Sequence, residues 1–166
     1  MIRYTREEIE EFIQVNKNIE KESHSAAMEK LLSIYHKIKI FQGLSKNDLK
    51  AIIYDAKFQK FNHGEFITKE GRASNTIYYL IEGECEIHKN STKIATVKKE
   101  QTFGDNGLLI EPSKRIASVI VASERAVVLS FKIDHTNTEF GSQALLMVYQ
   151  NIMKQLSEKL QEIKFA

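Results

Sequence analysis

Between Phe103 and Ser118 the chain reads Phe-Gly-Asp-Asn-Gly-Leu-Leu-Ile-Glu-Pro-Ser-Lys-Arg-Ile-Ala-Ser. A strand would not carry Gly104 and Gly107 so close together, and a long helix could not pass Pro112 unbroken. The residue types predict a turn, one short helical turn around Leu108 to Ile110, a loop, and a strand starting near Ile116. The opening of a short helix presents N–H groups without intrahelical partners, and glycines let an anion come close to them. Arg115 adds a forked guanidinium suited to two phosphate oxygens. Its neighbour Lys114 should face away if Arg115 points inward. Asp105 supplies an acceptor for a sugar hydroxyl. Together these groups suit a phosphorylated ribose. The competing reading is an ion pair between Asp105 and Arg115 that ties the ends of the stretch together with no ligand at all.

No other stretch offers chemistry of comparable definition. There is no G-x-x-x-x-G-K-[ST], no G-x-S-x-G and no H-E-x-x-H. His24, His36, His63, His88 and His135 are scattered singly and read as surface or turn residues. Cys85 lies on the apolar face of an alternating segment, which predicts a buried thiol rather than a nucleophile. No enzyme activity, no cofactor and no metal site is expected.

The elements that must hold the stretch divide as helical, then β, then helical. Thr5 and Glu8 fit a capping box ahead of Ile9, Phe12 and Ile13. A second helix carries Met28, Leu31, Leu32, Tyr35 and Ile38 at helical spacing. A third starts at Ser45 with Asp48 three residues on, Leu44 and Leu49 standing where a hydrophobic staple needs them, and Ile52 and Ile53 on its apolar face. From Phe58 to Phe131 the segments shorten. Asn62 to Glu65 reads as a turn before the strand Phe66-Ile-Thr68. Ile77 to Ile81 reads as a strand buried on both sides, and Glu84 to His88 alternates as a half-buried strand. Asn90-Ser-Thr92 turns the chain into Ile94 to Val97; Val119 to Val121 and Ala126 to Leu129 follow. Five of the seven glycines fall in this middle third, where they mark tight turns. Short strands without intervening helices predict a mainly β fold with helical flanks: an antiparallel β-roll, that is, a jelly-roll-like double-stranded β-helix. Near the end, Leu146, Tyr149, Met153, Leu156, Leu160 and Ile163 recur at steps of three and four, with Leu145 and Ile152 widening the stripe. That helix either packs on its own domain or forms a homodimer seam.

Composition narrows the class. Of 166 residues, 42% are hydrophobic and 28% charged, enough for a real core. Lys and Arg number 24 against 22 Asp and Glu, so the formal charge of +2 is too small for the basic footprint of a dedicated nucleic-acid binder. The charged start and the lack of a long apolar run predict no signal peptide, no membrane span and a cytoplasmic protein. With only Lys164 to Ala166 past the seam, no DNA-reading helix-turn-helix is expected.

The stretch from Phe103 to Ser118 resembles the phosphate-binding cassette of the cyclic nucleotide-binding domain family, which includes cAMP-dependent kinase regulatory subunits and the bacterial catabolite activator. That cassette usually reads Phe-Gly-Glu, a small residue, two apolar residues, a variable loop, then Arg followed by Ala, Ser or Thr. Phe103-Gly104 begins it here, Gly107 is the small residue, Leu108-Leu109 the apolar pair, and Arg115-Ile116-Ala117-Ser118 the end. Phe61 to Ile67 is similar to the family's first hairpin, Arg72 to Gly83 to the next strand and turn, and Ile40 to Ser45 to the entry into the barrel.

The resemblance implies a cyclic nucleotide ligand held by Gly104, Asp105, Asn106, Gly107, Arg115 and Ile116. Asp105 stands where the family has Glu against the ribose 2′-hydroxyl, and is shorter by one C–C bond, about 1.5 Å. Asn106 replaces an apolar residue. Members that favour cGMP often place Ser or Thr directly after the Arg; Ile116 offers no such hydroxyl, which implies a preference for cAMP. Ser118, two residues on and expected on the same side of the strand, has a hydroxyl that works against that preference. The expected organisation is a helical segment over 1–42, the β-roll over 43–135 and C-terminal helices over 136–166. Two functions fit it. One is a regulatory module that binds a cyclic nucleotide and signals through its C-terminal helices to an unknown protein effector. The other is a ligand-independent dimerisation module on the same fold.

Overall fold

The computed structural model describes residues 31–104, 113–136 and 141–162. The helix expected after Thr5, and the first part of the one carrying Met28, lie outside these residues. Residues 31–35 are helical, and Lys39–Phe41 form a 3₁₀ turn. Helix α1 (Lys46–Ile52) starts as its sequence predicts: Ser45 Oγ accepts the Asp48 N–H at 3.1 Å, and Asp48 Oδ2 accepts the Ser45 N–H at 3.0 Å. Two otherwise orphaned donors are thereby satisfied. Leu44 and Leu49 are both buried beside this cap.

The roll begins earlier than Phe58. Ile53, expected on the helix, is extended (φ −99°, ψ 131°) and opens β1 (Ile53–Asn62). The reason is its partner: β10 (Arg125–Ile133) pairs antiparallel with β1 from Ile53↔Ile133 to Asn62↔Arg125. A bulge between Tyr54 and Lys57, where Asp55 takes φ +53°, bends the strand.

The remaining strands are β2 (Phe66–Thr68), β3 (Ala73–Ser74), β4 (Ile77–Glu82), β5 (Cys85–Lys89), β6 (Thr92–Val97), β7 (Thr102–Phe103), β8 (Ser113–Lys114) and β9 (Ser118–Val121). They form two four-stranded antiparallel sheets, β1-β10-β4-β7 and β2-β9-β5-β6, with β3 and β8 as a separate pair. Asn90 and Ser91, at φ +51° and +65°, make the two-residue hairpin turn between β5 and β6. The structure therefore has the expected antiparallel β-roll.

Because side chains alternate along a strand, β4 feeds two cores. Ile77, Tyr79 and Ile81 pack with Leu129 and Phe131 against Leu32, Ile38 and Phe41 of the helical side. The Tyr35 ring meets Phe41 and Phe131 edge-on, at 6.0 and 5.8 Å. On the opposite face Leu80, Ala126 and Val128 meet Cys85, Val97, Val119 and Val121 between the sheets. Cys85 is buried, as its place on the alternating strand predicts.

Helix α2 (Ser142–Glu162) splits its apolar stripe in two. Ala144 and Val148 are buried on the first core, with Leu145, Tyr149 and Ile152 half-buried beside them. Leu146, Met153, Leu156 and Leu160 face away and are 59%, 67%, 54% and 62% exposed. Ile163 lies outside the described residues. Among the described residues, no helix is long and apolar enough to cross a membrane.

Candidate functional site

Arg115 is carried by the short β3–β8 ladder. Ala73 pairs with Lys114 and Ser74 with Ser113, and the Arg115 backbone continues the pairing. Its N–H donates to Arg72 O at 2.8 Å, and its carbonyl accepts the Gly71 N–H at 2.8 Å. With its peptide held on both sides, the residue's side is set by alternation: Lys114 is exposed, while Arg115 is buried at 5% exposure.

Inside, the guanidinium meets three oxygens from two segments. Nη1 donates to Gly104 O at 3.2 Å, and Nη2 donates to Ser74 Oγ at 3.3 Å and to Thr76 O. Ser74 Oγ also accepts the Thr76 N–H at 3.2 Å, so one hydroxyl orders the turn and touches the cation. A buried positive charge is tolerated because these neutral dipoles replace part of its hydration. Ser74 and Thr76 are neighbours of Arg115 that the sequence reading missed. The polar run Ser74-Asn75-Thr76 ahead of the apolar run at Ile77 is the local signal that could have flagged them, though not their partner.

Gly104 is required by closeness as well as by backbone. It sits at φ +79°, and a Cβ there would lie 2.9 Å from Thr76 O and 3.0 Å from Arg115 Nη1. The glycine thus makes room for the arginine itself. Phe103, which precedes it, stacks on Tyr78 across the β4–β7 pair, with ring centroids 5.0 Å apart and planes at 11°. Burial raises the Tyr78 phenol above its ordinary range, while the charges of Arg115 and Lys132 act in the opposite sense.

Ile116 differs from expectation. It lies in a bend, and β9 begins only at Ser118, so Ile116 and Ser118 do not share one face of a strand. The side chain of Ile116 is 75% exposed, and its carbonyl accepts from Lys89 Nζ at 3.0 Å. Ser118 Oγ accepts the Glu70 N–H at 2.9 Å, which holds its hydroxyl against the β2–β3 connection. The bend arises because the Arg115 peptide is committed to residues 71–72 while Ser118 is committed to His88. Asp105, Asn106 and Gly107 lie outside the described residues. The structure thus brings Gly104 and Arg115 together and leaves Ile116 facing outward.

Two further clefts lie elsewhere. One of about 450 Å³ runs between β6, the Glu100–Thr102 segment and Gln155 and Glu158 of α2. One of about 390 Å³ is lined by Leu31, Tyr35, Leu49, Ile53 and Tyr54, among others. Neither includes Arg115 or Gly104 in its lining.

The family model described as "Cyclic nucleotide-binding domain" matches residues 58–141, just over half of the chain. Over 88 residues, 53% of this chain and 10% of the relative, the sequence is 33% identical to a cGMP-dependent protein kinase of Plasmodium berghei (strain Anka). Over 91 residues, 55% of this chain and 9% of the relative, it is 32% identical to a cGMP-dependent protein kinase of Toxoplasma gondii. The chain spans about a tenth of the length of these relatives. The fold is shared with the regulatory domain of Toxoplasma gondii PKA crystallised with cAMP, at TM-score 0.59 and 18% identity, covering 79% of this chain and 50% of that one. It is shared also with the sensor domain of the transcriptional regulator DNR from Pseudomonas aeruginosa, at TM-score 0.60 and 16% identity, covering 78% and 93%.

Proposed function

The chain belongs to the cyclic nucleotide-binding domain family, and on that premise we propose that it is a cytoplasmic regulatory module that takes a cyclic nucleotide into the stretch from Phe103 to Ser118 and reports it through α2 to a protein effector. The observation that carries this reading is the buried guanidinium of Arg115, closed onto Gly104 at the other end of the same stretch. A cation kept from water attracts an anion more strongly than an exposed one. Gly104, Asp105, Asn106, Gly107, Arg115 and Ile116 are its proposed ligand residues: backbone N–H groups and Arg115 for the phosphate, Asp105 for the ribose. Catalysis has no part in this role.

For the base, cAMP is the proposed preference. Ile116 offers an exposed apolar surface and no hydrogen bond for a guanine amino group, which would be left unpaired. The related kinases are named for cGMP, so competition between the two nucleotides is a sharp test. For assembly, the outward stripe Leu146, Met153, Leu156 and Leu160 supports a homodimer through α2, since that face is exposed among the described residues.

A second reading rests on the same Arg115 contacts. With Gly104 O, Ser74 Oγ and Thr76 O already around it, the guanidinium also serves as a purely structural tie in a ligand-independent dimerisation module. Calorimetric titration with cAMP and then cGMP, on protein shown free of co-purified nucleotide, separates the two. Binding of either, with cAMP tighter, is expected. No heat at millimolar nucleotide would favour the ligand-independent module, and tighter cGMP would overturn the base preference alone.

A further inference from the structure

Helix α2 is tied to the start of the described chain by one side-chain amide. Asn151 Nδ2 donates to Ile40 O at 3.0 Å and to Gln42 O at 2.9 Å, across more than a hundred residues. Both carbonyls belong to the 3₁₀ turn Lys39–Phe41 and its end, where helical geometry leaves acceptors without partners. One amide therefore satisfies two such acceptors and uses both of its own hydrogens.

The tie sits where the packing of α2 changes. On its N-terminal side Ala144 and Val148 are buried, and Met147 Sδ comes so near Gly43 that a Cβ there would lie 2.9 Å from it. On its C-terminal side the same helix face continues as Gln155 and Glu158, which border the cleft of about 450 Å³ instead of packing on the roll. Met153, Leu156 and Leu160 stand in solvent on the other face. Past Ile152, the last apolar residue packed on the core among the described residues, the helix runs ten residues further to Glu162, about 15 Å at 1.5 Å per residue.

We propose that Asn151 is a positioning residue for output: its paired hydrogen bonds decide whether the overhanging half of α2 is held in place or released, and a nucleotide's effect on α2 passes through this clamp. The coupling to nucleotide rests on the function proposed above; the clamp itself does not. An amide is needed here because both partners are acceptors. Aspartate has the same shape but would set a carboxylate against two carbonyl oxygens.

The test is hydrogen exchange followed by mass spectrometry on the full chain at one protein concentration, for wild type, Asn151→Ala and Asn151→Asp, with and without millimolar cAMP. Without nucleotide, exchange over 152–162 should rise about 5–30-fold in Asn151→Ala, the loss of two hydrogen bonds. It should rise further in Asn151→Asp, while peptides from β4 and β10 stay protected as in wild type. A space-filling role predicts the reverse order, with the isosteric aspartate harmless; that order, or equal exchange in all three, would overturn the clamp. If Asn151→Asp does not fold, Asn151→Ser replaces it, its single donor placing it between wild type and alanine; any other order overturns the proposal. With cAMP, wild type should change its exchange over 152–162, while Asn151→Ala binds equally well and changes little. A response of 152–162 that survives Asn151→Ala would overturn the coupling. A wild type that binds no nucleotide would remove the coupling and the function together, while the nucleotide-free comparison still decides the clamp.

Discussion

Arg115 and Gly104 are mutually dependent: Nη1 of the arginine donates to the glycine carbonyl at 3.2 Å, and a Cβ on that glycine would lie 3.0 Å from the same nitrogen. The carbonyl holds the guanidinium only because the residue has no side chain. Gly104→Ala should therefore do more than strain φ +79°. The left-handed conformation alone costs about 1–2 kcal/mol, roughly 2–8 °C of melting temperature for a chain of this size. The displaced guanidinium should also weaken cAMP binding, which a thermal-shift titration reads as a smaller ligand-induced rise.

Arg115→Ala should separate ligand binding from folding. At about 100 times its dissociation constant, ligand stabilises the wild type by about 2.7 kcal/mol, a rise of roughly 5–11 °C. The alanine variant should lose most of that rise, since removing the charged partner of a buried anion costs about 2–5 kcal/mol. It should also melt lower without ligand, because Thr76 O and Gly104 O lose a donor at about 1–3 kcal/mol. Arg115→Lys, which keeps the charge but not the fork, should fall between the two. A rise that survives Arg115→Ala would place the ligand elsewhere.

Leu156→Glu should leave the fold intact and abolish dimerisation. Leu156 is 54% exposed on its own domain, so a monomer loses little by the change. Sedimentation should give a dimer for wild type at micromolar concentration and a monomer for the variant, with unchanged circular dichroism. A monomeric wild type would reject the α2 seam.

Alkaline stability should report on Cys85. Burial pushes its thiol up to about 11 from an ordinary 9.0, with the charge of Glu84 adding to the shift. Between those values the unfolded chain has released its proton and the folded chain has not, so unfolding gains and stability falls as pH rises. For one group the slope is at most about 1.4 kcal/mol per pH unit. Tyr35 and Tyr78, also raised by burial, extend the decline above pH 10. Cys85→Ala should flatten the curve between pH 9 and 10 and leave the tyrosine part. Iodoacetamide at pH 8 should label Cys85 only when the protein unfolds.

Much was legible in the chain by itself because it rests on neighbours. The Ser45–Asp48 cap closes within one helical turn, the Asn90–Ser91 turn within two residues, and the opposite sides of Lys114 and Arg115 follow from strand alternation alone. The double burial of Ile77 to Ile81 was equally plain from an unbroken apolar run. What needed the tertiary structure is what joins distant segments. Ser74 and Thr76 reach Arg115 across 41 and 39 residues, only because β3 pairs with β8. Ile53 becomes strand rather than helix because Ile133 lies beside it, and Ile116 turns outward because the residues flanking it are anchored to different neighbours. The apolar stripe of α2 shows one broad face to any periodicity argument. Which residues are core and which are surface was settled by where Ala144 and Val148 meet the first core, since hydrophobic spacing specifies that a face be covered and not by what.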